Sequence, residues 1–266
     1  MRLIAHSMKT AIFTFTVVSG AFLAAQTTSP CGVAAMGVGV YPSYAKTSPP
    51  FSATIQTTHD QKLADGNAIH GSIVTHFYRD STGRTRNESS GLCSFGLDGK
   101  LRPTINVTVN DPAKHTVLSW RINGQDKIAH LVHQEERPQS PATPPTPEQR
   151  ALNAIIQQHW RQNTHSKKLP DRNIAGVWCE DSRQITTTPA GEQGNQRPLE
   201  MATEVCIAQD LGLTMLRITD DSFNGRTETE VTDFSSGEPD PSVFAPPQDY
   251  TIQEQQLKTV SVVSLE

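Results

Sequence analysis

The chain has 266 residues, a formal net charge of −4, and only 6% aromatic residues. It therefore lacks the basic surface that holds phosphates and the lysine-rich stripe that lies on anionic lipid, and nucleic acid is excluded as an expected partner. Once a leader is removed, about 240 residues remain, which suits one large all-β domain.

Arg2 and Lys9 precede an uncharged run from Ala11 to Leu23, and Ala24 and Ala25 follow it. This is the order of a secretory signal peptide. The run is shorter than the roughly 20 apolar residues of a spanning helix, so no transmembrane segment is expected in the mature chain. Residues 1–25 are read as the signal peptide, with a cut after Ala35 (Val33-Ala34-Ala35) as the second option, and residues 26–48 as a flexible lead. Export to the periplasm or the extracellular space follows. Cys31 is preceded by Thr28, Ser29 and Pro30 rather than by the small residues that lipid attachment needs, so it is read as an ordinary thiol.

Alternation with a period of two is the main signal along the chain, because successive strand side chains face opposite ways. Thr104 to Asn110 alternates without a break. Noisier alternation marks Phe51–Thr57, Ile69–Phe77, Thr116–Ile122, Ile128–Val132, Met201–Ile207 and Thr227–Val231. Between these runs stand Asp65-Gly66, Ser81-Thr82-Gly83, Asp98-Gly99, Asp111-Pro112, Asn123-Gly124 and Asn224-Gly225, all turn formers. Short connections join antiparallel neighbours, so the expected fold is mainly β, a curved antiparallel meander of half-barrel form with one or two covering helices. Residues 137–147 contain five prolines and read as an extended linker within a single domain spanning 49–252, with 253–266 as a tail. A helix is predicted over 147–162: Thr146 caps it, Pro147 opens it, Gln149 completes a capping box, and Leu152, Ile155, Ile156 and His159 share a face.

The stretches Arg172–Glu180, Gln184–Glu200 and Glu238–Tyr250 (EPDPSVFAPPQDY), with Phe51–Asn67 and Phe77–Arg86, resemble a group of exported acidobacterial-type β proteins. That group is in turn similar to the periplasmic lipoprotein-carrier (LolA/LppX-like) superfamily, whose antiparallel sheet forms a half-barrel around an apolar groove. The resemblance implies a lipid or lipoprotein ligand. Where the group has a small residue at position 179 and an aromatic one at 206, this chain has cysteine at both. With a hairpin turning through Gly191 and Gly194, the two face each other, which predicts a Cys179–Cys206 disulfide and leaves Cys31 for Cys93.

Motifs of enzyme chemistry are missing from the sequence: there is no Gly-x-Ser-x-Gly, His-Glu-x-x-His, Cys-x-x-Cys or P-loop. Gly37-Val38-Gly39 lacks the third glycine of a dinucleotide site. His130 and His133 are three apart and so face opposite ways on a strand, while His70 and His76 would stand about 20 Å apart on one face. Asp220-Asp221 beside Asn224-Gly225 reads as a solvated turn. No catalytic residue, metal or cofactor is expected. Ile55, Ile73, Phe77, Val107, Val109, Leu118 and Trp120 are the candidate groove residues, an apolar set suited to acyl chains, with ordinary core as the competing reading for each. The expected function is a non-enzymatic exported binding protein for a lipid or other apolar ligand. The alternatives are a structural or surface-interaction protein with a filled core, and a hydrolase without a familiar motif.

N-terminal sequencing of the protein recovered from the envelope or medium is expected to begin at Gln26; a chain beginning at Met1 contradicts the export reading.

Overall fold

The alternating segments become strands because each can bury one face only by pairing and curving with its neighbours. The computed structural model describes residues 49–96, 98–122, 126–134 and 144–255. The elements are β1 (Phe51–Lys62), β2 (Ala68–Arg79), β3 (Thr85–Phe95), β4 (Leu101–Asp111), β5 (Thr116–Ile122), β6 (Ile128–His133), α1 (Pro147–Asn163), β7 (Thr164–Lys168), β8 (Arg172–Ile174), β9 (Val177–Thr188), β10 (Leu199–Ala208), β11 (Leu213–Asp221), β12 (Gly225–Ser236) and β13 (Thr251–Gln255). Among the described residues the strands form one open curved sheet in the order β13-β6-β5-β4-β3-β2-β1-β12-β11-β10-β9-β7, with β8 paired to β9.

This order is two hairpin runs joined back to back by the antiparallel β1–β12 pair. All pairings are antiparallel except β13 with β6, and that strand extends to Gln255, three residues past the expected end of the domain. The turn glycines behave as their dipeptides predict. Gly225 has φ +83°, and a Cβ there would stand 2.3 Å from the Asp60 carbonyl oxygen, so any side chain would force β12 off β1. Asn123-Gly124 and most of the proline-rich linker lie outside the described residues.

One end of the sheet carries the β2–β3, β4–β5 and β10–β11 turns; here it is called the closed end. Burial gathers toward it, in Phe51, Ala53, Ile55, Phe77, Val231, Leu213 and Met215. The opposite, open end carries the β1–β2, β3–β4, β9–β10 and β11–β12 turns. A ladder shift in β10–β11 leaves Met215 as an extra residue, and the β11–β12 ladder starts only at Leu216–Glu230. The Leu213–Met215 end of β11 thus leaves β12 and joins the apolar cluster of β1 and β2.

The Cys179–Cys206 disulfide is present, with Cα atoms 5.3 Å apart. Its register corrects the expectation: Cys206 stands opposite Asp181, so the bond runs diagonally to the cysteine two residues along the same face. Cys31, and with it the second pairing, lies outside the described residues, although Cys93 is not a free thiol.

The β2–β3 turn is held by Asp80, whose side chain is buried. Its carboxylate accepts from Thr82 N and Oγ1 at 3.0 and 2.7 Å and from Arg84 N and Nε at 2.8 and 2.6 Å. Burial pushes the carboxyl up, but the hydrogen bonds from Thr82 and Arg84 outweigh it and hold it below the usual range. A lowered folded pKa adds stability above the unfolded value and loses it as pH falls through the folded one. Asp80→Ala is expected to cost about 3 kcal/mol and to remove that acid-side loss, read by urea denaturation at pH 7 and pH 3; a cost under about 1 kcal/mol contradicts the assignment.

Candidate functional site

The register separates the seven candidate groove residues. Phe77 stands opposite Asn87, and Asn87 opposite Thr108, so Phe77 shares a face with Thr108 while Val107 and Val109 occupy the other. Ile55, Ile73 and Phe77 lie on the first face; Ile55 and Phe77 are buried with Phe51, Cys206 and Leu213, and Ile73 is half-buried. Val107 pairs with Trp120 and Val109 with Leu118, and these four lie in a second cluster with Ala129 and Phe244. One continuous groove lined by all seven does not form.

The second cluster is covered by the chain itself. From β12, residues 237–250 cross the sheet and reach β6. Gly237 N donates to Pro50 O at 3.1 Å, and Ser81 N donates to the Glu238 carboxylate at 3.1 Å. Pro241–Phe244 forms a turn of 3-10 helix whose Phe244 is buried under the Arg84 guanidinium, 4.6 Å from the ring centroid. Arg86 donates through Nη1 to Val243 O and through Nη2 to Glu88. At the far end Tyr250 Oη donates to Arg121 O at 2.7 Å. This strap, and not the predicted helix, covers the Trp120 cluster.

The helix forms as its capping box dictates, with Gln149 N donating to Thr146 Oγ1 at 3.2 Å and Thr146 N donating to Gln149 Oε1 at 2.8 Å. It buries none of its residues. It leads into β7, and His159 meets Glu192 of the β9–β10 turn at 3.4 Å. Leu152, Ile155, Ile156 and Trp160 are left exposed on one side of it. The open end carries further exposed apolar groups: Leu63 beside the β1–β2 turn, Phe95 (72%) and Leu101 at the β3–β4 turn, Met201 near the β9–β10 turn, and Phe223 (78%) at the β11–β12 turn.

Three clefts among the described residues bear on these features. The largest of these three, about 770 Å³, lies toward the open end between β1–β2 and β10–β12, with Asp60, His70, Arg183, Asp220, Phe223 and Arg226 among its walls. Arg226 bridges Asp220 at 2.9 Å and Glu228 at 2.8 Å, so its cation is already neutralised. A second cleft, about 530 Å³, lies by the disulfide against Val177, Trp178, Leu211 and Phe234. The third, about 460 Å³, is lined mainly by polar groups such as Asn106, Thr108, Ser119 and His130. The histidines weighed for metal binding have strand neighbours instead: His70 meets Asp60, His76 meets Thr54 at 3.2 Å, His130 meets Gln255 at 2.9 Å, and His133 meets Glu254.

No family model matches the chain, and no curated protein matches it. Among solved structures it is similar to MucB in the *Pseudomonas aeruginosa* MucA/MucB complex, at 12% identity over 78% of this chain and 59% of that one, with a TM-score of 0.38. It is also similar to LprF from *Mycobacterium bovis*, at 12% identity over 75% of this chain and 93% of that one, with a TM-score of 0.32. A putative outer membrane lipoprotein-sorting protein domain from *Vibrio parahaemolyticus* matches at 11% identity over 74% and 89%, with a TM-score of 0.21. The chain spans about 59% of the length of the MucB chain that it matches.

Beside the disulfide, Asp181 is fully buried, 2.7 Å from Arg172 Nε, yet neither of its oxygens receives a hydrogen bond of good angle. Burial pushes its carboxyl up; Arg172 opposes this and the nearby Glu204 charge adds to it. A raised folded pKa penalises the folded state above that pKa, and the penalty fades as pH falls toward the unfolded value. Asp181→Asn is expected to stay within about 1 kcal/mol of the parent and to flatten this part of the pH–stability curve. Arg172→Ala, which strands the buried Asp181 and leaves Glu204 with Arg183 alone at 4.0 Å, is expected to cost about 2–3 kcal/mol by urea denaturation. The reverse ranking contradicts this reading.

Proposed function

We propose that the chain is an exported, non-enzymatic binding protein that takes a lipid or other apolar ligand at the open end of its curved sheet. The observation that carries this reading is the asymmetry of apolar exposure. Toward the closed end Phe51, Ile55, Phe77, Leu213 and Met215 are buried, although Trp178 of β9 is exposed there, while Leu63, Phe95, Leu101, Met201 and Phe223 are all left in water around the turns of the other end. Scattered single exposures are ordinary, but a set gathered at one end marks a surface kept for a partner. The large cleft opens at the same end, with Phe223 at its lip. A disulfide buried between β9 and β10 suits an oxidising compartment, which supports export.

The second reading, a surface-interaction protein, is favoured by the strap-filled cluster around Trp120 and by the apolar side of α1. A small hydrophobic probe separates the two. Binding of 1-N-phenylnaphthylamine, followed by its fluorescence, is expected to weaken at least about fivefold in the double variant Phe95→Ser, Phe223→Ser. Both side chains are exposed, so thermal stability should change little. No probe binding by the parent protein favours the surface-interaction reading, and undiminished binding by the double variant moves the ligand away from the open end.

A further inference from the structure

The strap occupies one face of β4–β6, and the other face of the same strands is polar and hollowed. The register sets Asn106 opposite Arg121, Thr108 opposite Ser119, and Ser119 opposite His130, so these five side chains share the face away from Trp120. They line the cleft of about 460 Å³ together with Asp126, which precedes β6; that volume is within the range of small-ligand sites. The wet face of a half-buried sheet is polar in any case. This one differs in being hollow and in leaving its polar groups unspent. Elsewhere several directly opposed pairs bond across the ladder: Thr57 with Thr229 and His59 with Thr227 at 3.0 Å, and Thr164 with Thr186 at 3.3 Å. Among the described residues, no side-chain hydrogen bond or ion pair engages Asn106, Thr108, Ser119, Arg121 or Asp126. Only His130 is held, with Gln255 Nε2 donating to its Nδ1 at 2.9 Å, which leaves its Nε2 for a ligand.

We propose that this cleft binds a neutral saccharide, at a site separate from the apolar open end. Arg121 only donates, Asp126 only accepts, the Asn106 amide does both in one plane, and the Thr108 and Ser119 hydroxyls do either. A sugar hydroxyl is donor and acceptor at once, and neighbouring hydroxyls on a pyranose ring match the paired functions of an amide, a carboxylate or a guanidinium. The formal charges of Arg121 and Asp126 cancel, so the ligand needs none. A peptide strand would add to a sheet edge through its main chain, whereas this cleft lies on a sheet face. Neighbouring strands are about 4.8 Å apart, so side chains from β4, β5 and β6 form a grid on which successive hydroxyls of a sugar chain can rest. Ile128 supplies one apolar contact for the C–H face of a ring. The Trp120 ring lies on the strap side and offers no stacking platform, so affinity rests on hydrogen bonds and is of about millimolar order.

The test is NMR on the exported protein with maltotriose, mannotriose and triacetylchitotriose, and with tetraglycine as a polar peptide. Saturation transfer to at least one trisaccharide is expected, with shifts of the Asn106 side-chain amide and Arg121 Nε–H signals. These shifts are read on the unaltered chain and depend on no variant. The double variant Asn106→Ala, Arg121→Ala is expected to bind at least about tenfold more weakly, and Thr108→Val, which keeps the side-chain shape and suits a strand, about threefold more weakly. Melting curves matching the parent's show that these losses are not losses of fold. The Phe95→Ser, Phe223→Ser variant is expected to keep full saccharide binding, so the cleft and the open end stand or fall separately. Trisaccharides that bind more tightly than their methyl monosaccharides assign a polymer chain as the source, and equal binding assigns a single sugar. The proposal is overturned by no saturation transfer to any trisaccharide at about 10 mM, by shifts confined to other residues, or by a stronger response to tetraglycine than to every sugar.

Discussion

The pairing of β1 with β12 is the constraint on which the rest depends. It joins the first long strand to the last across most of the sequence, over ten residue pairs from Phe51–Ser236 to Asp60–Arg226. Thr57 and Thr229 share a hydroxyl hydrogen bond at 3.0 Å, and His59 meets Thr227 at 3.0 Å, along the middle of this ladder. Without it the two hairpin runs would be separate sheets, each with a bare edge. With it, β1 and β12 bring Phe51, Ile55 and Val231 together at the closed end, and β12 delivers the strap to the Trp120 face.

The sheet consequently has two unlike halves. Toward the closed end, side chains from both hairpin runs fill the space, and the Asp80–Arg84–Phe244 chain of contacts ties a turn to the strap. A cation over an aromatic ring adds about 0.5–2 kcal/mol to what Phe244 gains from burial. Toward the open end the hairpins project without cover, and ion pairs such as Arg226 with Asp220 and Glu228 take the place of apolar packing. Exposed ion pairs contribute little stability, so this half is the one that a partner can remodel at low cost.

Much of this was legible in the sequence wherever one physical rule acted alone. Period-two alternation located β4 because Val107 and Val109 face a core while Asn106 and Thr108 face water. The capping box placed α1, and the glycine dipeptides placed the turns. The sequence pattern failed where two rules competed. In β3, Arg86 and Glu88 face the strap side and Asn87 and Ser89 the other, so no apolar alternation marks it as a strand; its neighbours impose it. In β11 the extra residue at Met215 puts two apolar residues in succession and breaks the period. The groove set combined two faces because alternation within a strand does not reveal how faces match across strands. Only the register, Phe77 to Asn87 to Thr108, does that. The strap residues Arg84, Arg86 and Phe244 were missed as a unit because they meet across more than 150 residues of sequence, although the closing Pro-Ser-Val-Phe segment was itself conspicuous.

The most direct measurement is native mass spectrometry, with solvent extraction, of the protein purified from its own envelope fraction. A co-purifying lipid of defined mass, released by solvent, is the expected result. A bare polypeptide mass that also stays bare after incubation with an extract of the same envelope would contradict the proposed binding function.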